Sequence, residues 1–197
     1  MALRLVTDAT ELAVTLAEMK EFLRVEHDED DSRITDLIEQ VTSYAEDFTG
    51  RALALQTWDY LVDTFPAKDA DPAWIEVPLA KVVEVTGVFY LDSEGVEQTL
   101  DAAAYFADID STRARIGLAP NETWPTTYEE LNAVRIRFIA GEAELGSSPM
   151  TSKVRGSVKL GVKLRVQAEY DGGEQAQGLR DAADIYLRRG RVHLGLA

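Results

Sequence analysis

The apolar residues of this chain change their spacing twice, and that restricts the fold more than any other property of the sequence. Leu16, Met19 and Leu23, then Ile34, Leu37, Ile38, Val41, Ala45 and Phe48, recur every three or four positions. Such a period gathers them on one face of a helix. From about residue 52 to 145 the period falls to two. In TWDYLVDTF, Trp58, Tyr60 and Val62 alternate with Asp59 and Asp63, as a strand with one buried face requires. From Val154 the helical spacing returns with Val158, Val162 and Val166.

Local signals place the element ends. In TLAE, Thr15 caps a first helix while Glu18 reaches back, a capping box. A second helix runs from about Asp30 to Phe48, with Gly50 as its C-terminal stop. WIEV, VVEVTGVFYL, AYFADID, ARIGL and AVRIRFIAGE read as strands, and DSEG at 92–95 turns into VEQTL as a hairpin. Ser148 and Pro149 suit the start of a third helix. The glycine pair at 172–173 ends it, and a fourth spans about 174–189. The expected class is α+β, a helical bundle of N- and C-terminal helices with a β-rich insertion between them. Its parts are residues 1–51 helical, 52–146 β-rich, 147–189 completing the helical part, and 190–197 a partner-binding tail.

Composition narrows the chemistry. With no cysteine, the chain has no disulfide, thiolate zinc site or cysteine nucleophile, and a reducing compartment suits it. The start MALRLVTDATELAV does not read as a signal peptide, and no run approaches the ~20 apolar residues of a membrane span. A soluble intracellular protein is expected. The net charge of −15 is unevenly spread: residues 1–100 hold 22 acids and 7 bases, residues 151–197 hold 5 acids and 9 bases. That asymmetry points to charge-directed contacts through the C-terminal quarter, and the acidic whole is unlike a groove that grips nucleic acid.

Three stretches are candidate sites. EHDEDD at 26–31 places Asp28, Glu29, Asp30 and Asp31 at the start of the second helix. Carboxylates there suit the free amides and the helix dipole, and Asp30 or Asp31 is the expected cap. The spacing is not that of a calcium loop, and with His193 far off in sequence a zinc site lacks ligands. Arg155, Lys159 and Lys163 recur every four residues in a segment without acids. They form either the solvated face of a core helix or a basic row meeting the acidic surface of a neighbouring copy. Gly156 and Gly161 would let another backbone come close. The tail RRGRVHLGLA mixes Arg188, Arg189 and Arg191 with Val192 and Leu194; it is either a frayed end or a segment that orders on a partner. Glycine-rich phosphate loops and a GxSxG elbow are absent.

Several quoted pieces follow one another in a familiar order. They are TLAEMKEFLRVEHDEDDSRITDLIEQVTSYAEDFTGRAL, QTWDYLVDTFP, LDSEGVEQTLDAAAYFADIDSTRARIGL, NAVRIRFIAGE and DIYLRRGRV. Over nearly the whole chain this order resembles the head–tail connector, or adaptor, proteins of long-tailed bacteriophages and related gene transfer agents. One departure is the helix after Pro149, rich here in lysine, arginine and glycine where the family is apolar and aromatic. The resemblance implies a structural protein with no enzymatic activity and no cofactor. It implies a ring, typically dodecameric, between the portal protein and a tail-side neck protein. DNA would pass through it without sequence-specific binding, and no membrane is involved. Assembly in the bacterial cytoplasm would precede residence in the neck of the particle. Carried onto this chain, Arg188, Arg189, Arg191, Val192 and Leu194 become portal contacts. The basic row becomes a subunit interface, and the acidic joint Asp28–Asp31 an interface or channel-facing patch. Three other readings stay open: another neck component, such as a tail terminator or stopper, a metal-dependent hydrolase using the acidic joint, and a plain adaptor for a cytosolic protein unrelated to phage.

Overall fold

The computed structural model describes residues 1–67, 69–144 and 150–191. The chain is mixed α+β, and its described residues form four α-helices and two antiparallel sheets. It divides into two compact units: Met1–Asp8 with Gln56–Gly141, and Ala9–Leu55 with Glu142–Ala197.

The first unit is the sheet unit. Its larger sheet contains β1 (Ala2–Thr7), β2 (Gln56–Val62), β4 (Val82–Leu91), β5 (Glu97–Thr99) and β8 (Val134–Ala140), in the order β1-β2-β8-β4-β5. A three-stranded sheet orders β3 (Trp74–Ala80), β7 (Arg113–Leu118) and β6 (Tyr105–Asp108) as β3-β7-β6. Strand β8 shows why the pattern of two works: Val134, Ile136, Phe138 and Ala140 are buried, while Arg135 and Arg137 point to the other face. Strand β1 corrects the expectation that residues 1–51 are helical. It pairs with β2 through Ala2↔Leu61 and Arg4↔Asp59, yet all six of its residues are exposed. A strand with no buried face leaves no periodic mark in the sequence.

In the helical unit, α1 (Leu16–Leu23) carries the expected capping box: Thr15 accepts from the Glu18 amide at 3.2 Å, and Glu18 accepts from the Thr15 amide at 3.0 Å. Helix α2 (Asp31–Thr49) ends at Gly50, whose φ of 70° is the left-handed conformation that suits glycine. Helices α3 (Gly156–Asp171) and α4 (Ala176–Arg188) complete the unit. Met19, Ile34, Ile38, Val41, Ala45, Val158, Val162, Val166 and Leu187 share one core, so the valine row faces inward as its spacing requires. A Cβ at Gly161 would lie 2.9 Å from Leu187 and 3.2 Å from the Ala183 carbonyl. The close approach this glycine permits is therefore to α4 of its own chain, while Gly156 faces open space.

Helix α3 starts later than the Ser148–Pro149 signal suggests; those two residues lie outside the described ones. Residues 150–155 instead bind back to the strand end. The Glu144 amide donates to Thr151 O at 2.9 Å, the Lys153 amide to Glu142 O at 2.7 Å, and the Arg155 amide to Glu142 Oε2 at 2.6 Å. Backbone groups satisfied this way are unavailable to a helix, which begins only at Gly156.

Candidate functional site

The acidic joint is a brace between helices. Lys20 donates to Asp28 and to Asp31, each at 2.6 Å. These hydrogen bonds raise the Lys20 pKa and lower that of Asp28. Asp30 holds the N-cap position, but its side chain makes no capping bond. It accepts instead from the Tyr170 hydroxyl at 2.6 Å, with His27 Nε2 at 3.9 Å. Arg33 lies 4.7 Å from the centre of the Tyr170 ring and donates to the Tyr170 carbonyl at 3.0 Å. The joint thus fastens the end of α1, the start of α2 and the end of α3. Glu29 is exposed. Among the described residues, no group of three or more His, Asp or Glu side chains is placed to hold a metal ion.

The basic row finds its acids within its own chain. Lys159 Nζ is 3.0 Å from Glu18, Arg155 Nε is 3.1 Å from Glu142, and Lys163 Nζ lies 5.8 Å from the centre of the Phe22 ring. Burial raises the Glu18 pKa, but the Thr15 amide and Lys159 outweigh it, so the carboxyl lies below its ordinary value. The acidic surface expected on a neighbouring copy therefore meets this row first as Glu18 and Glu142 of the same subunit.

Glu142 belongs to a buried charge centre that the sequence did not single out. Arg51 Nη1 lies 2.9 Å from its Oε1, with both side chains almost fully buried. This links the two segments of the helical unit, through residue 51 of the first and residue 142 of the second. Arg51 Nε and Nη2 and Glu142 Oε1 take no hydrogen bond in the described structure. A Cβ on Gly190 would stand 2.8 Å from Arg51 Nη2 and 2.9 Å from Val158. Residue 51, just after α2, and residue 190, just after α4, thus meet in space.

At the C-terminus, Arg188, Arg189 and Arg191 are exposed. Arg189 stands 5.3 Å from the Tyr186 ring centre and Arg191 5.9 Å from that of Phe48. Val192 and Leu194 lie outside the described residues. Among the described residues, no helix is long and apolar enough to cross a membrane.

The sheet unit has a surface feature that sequence reasoning missed, an open groove of about 740 Å³ formed by residues 63–67, Leu118 and 123–131. Phe65 stacks on Trp124 at 4.5 Å between ring centres, and Tyr90 meets Phe65 edge-on at 5.9 Å. These loop residues have no period, and a pair of adjacent acids such as Glu129 and Glu130 is too common in sequences to mark a site.

Braced helices, charge centres that secure the chain's own elements and an open aromatic groove are the features that the described residues present. The family model described as phage gp6-like head-tail connector protein matches residues 13–111, 99 of the 197, and the chain belongs to that family. No curated protein matches it. Among solved structures the fold is similar, at 22% identity and TM-score 0.76, to a chain in the neck of an empty GTA particle computed with C6 symmetry. It is likewise similar, at 22% identity, to chains of a native gene transfer agent virion (TM-score 0.75) and of a native GTA neck computed with C12 symmetry (0.74). Each match covers 100% of this chain and 98% of the other.

Proposed function

We infer that this head–tail connector acts as a structural adaptor: copies close into a ring in the neck of a phage-like or gene transfer agent particle. The ring joins the portal to a tail-side protein and lets DNA pass. It performs no catalysis, and it assembles in the bacterial cytoplasm. The observation that carries this reading is the likeness along the whole chain to neck chains, added to the family match over residues 13–111. A closed ring needs one patch of a subunit to meet a different patch of the next, and the exposed acids Asp28 and Glu29 and the exposed arginines Arg188, Arg189 and Arg191 are unlike in charge. An acidic lining repels phosphate, so DNA slides without gripping.

In this reading the exposed Arg188, Arg189 and Arg191, with Val192 and Leu194, contact the portal. The acidic joint, with Asp28 and Glu29 outermost, faces the channel or a neighbour. Arg155, Lys159 and Lys163 act at a subunit boundary while bracing their own subunit. Deleting residues 188–197 tests the portal contact. The truncated chain should fold, because the buried Leu187 is retained, and should fail to join portal-bearing heads in co-sedimentation. Normal joining would refute the assignment.

A further inference from the structure

The groove of the sheet unit has a chemistry opposite to that of the C-terminal arginines. Asp63, Glu129 and Glu130 stand among its lining residues, and none of the described ones is basic. A second depression of about 410 Å³ shares Leu118 and Trp124 with it and adds Trp74, Phe106 and Glu122, again with no base. Phe106 is seated over Gly117, where a Cβ would lie 2.6 Å from its ring, and Trp74 pairs across Gly117 on the other side. Exposed large side chains line the surface: Leu131 is 76% exposed and Phe106 55%. A run of exposed aromatic and aliphatic residues rimmed by charge marks an interaction surface.

We propose that this groove receives the tail-side partner of the ring, through a segment that presents arginine or lysine beside leucine or an aromatic side chain. The inference rests on the adaptor reading. An adaptor holds two different partners, and charge complementarity assigns them. A portal surface that attracts Arg188, Arg189 and Arg191 is acidic, and the carboxylates of the groove and of the adjoining depression repel it. The groove therefore suits the other partner, of basic and apolar character. The stacked Phe65–Trp124 floor supplies apolar area, and the carboxylate rim supplies orientation.

The test uses the full chain with Glu129→Lys and Glu130→Lys together and, separately, Leu131→Asp. All three positions are exposed, so folding should be retained, as circular dichroism checks. Wild-type and variant proteins are added to tail-less heads and then to tails, and electron microscopy counts rings on heads and tailed particles. The expected result is normal rings on heads, with tailed particles reduced about tenfold or more by either variant. Tails joining at the wild-type level would overturn the inference while leaving the adaptor reading intact. So would loss of ring formation, which would make a neighbouring copy the occupant. Wild-type protein that never reaches the heads would bring down the adaptor reading itself.

Discussion

Among the described residues the sheet unit buries one charged side chain, Asp59, and the helical unit an opposed pair, Arg51 and Glu142, and the two centres are treated differently. In the sheet unit, the fully buried Asp59 accepts from Arg137 at 2.8 and 3.0 Å and from Arg4 at 2.8 Å, with Arg135 at 3.7 Å. Arg4, Asp59 and Arg137 are cross-strand partners on β1, β2 and β8, so the carboxylate sits at the centre of a row that holds the edge strand in register. In the helical unit the buried cation is Arg51. It has the charge of Glu142 beside it, but two of its nitrogens have no hydrogen-bond partner in the described structure. Burial lowers the Arg51 pKa, Glu142 opposes this and Arg155 adds to it. A satisfied anion specifies pairing. An under-satisfied cation depends on its single counter-charge.

That contrast ranks the substitutions. Glu142→Ala should cost most, about 3–5 kcal/mol, because it leaves Arg51 buried and unpaired. The check is a urea midpoint that falls with an unchanged slope. Asp59→Asn should cost less, about 2–3 kcal/mol at neutral pH, since its arginine partners keep part of their contact with water. A larger loss from Asp59→Asn than from Glu142→Ala would reverse the ranking of the two centres.

Acid sharpens the same comparison. Burial pushes the Asp59 pKa up, but hydrogen bonds from Arg137 and Arg4 outweigh it, and the group lies below its ordinary value. Its contribution is therefore fully present above the unfolded value of about 4 and is lost as pH falls through the lower folded value. Asp108, drawn to about 2 by Arg115 and Ser111, follows the same sign. Stability measured between about pH 5 and pH 2 should fall less steeply in Asp59→Asn than in the wild type.

Smaller effects belong to the helical unit alone. Gly190→Ala would press a methyl group against Arg51 and Val158, at about 1–2 kcal/mol. Thr15→Ala removes the capping box, at about 1 kcal/mol. Thermal denaturation resolves both.

Much of the helical unit was legible in the sequence. The Thr15–Glu18 box, the Gly50 stop and the inward valine row all follow from local spacing, and the structure has each of them. Strand β1 was not legible, because Leu3 and Leu5 are exposed and nothing distinguishes them from a loop. Nor was the late start of α3, because it depends on Glu142 binding the backbone of residues 153 and 155. The charged candidates were found, but not their partners: Lys159 meets Glu18 from 141 positions away. Asp59 reads as the solvent side of a strand and is fully buried, since three arginines from other strands cover it. Sequence period reports burial of apolar residues and carries no information about which distant charges meet.

Electron microscopy of portal-bearing heads, with and without the purified chain, tests the adaptor reading most directly. A closed annulus of repeated copies should appear beneath the portal when the protein is added, and only then. Heads that stay unchanged at saturating protein would contradict it.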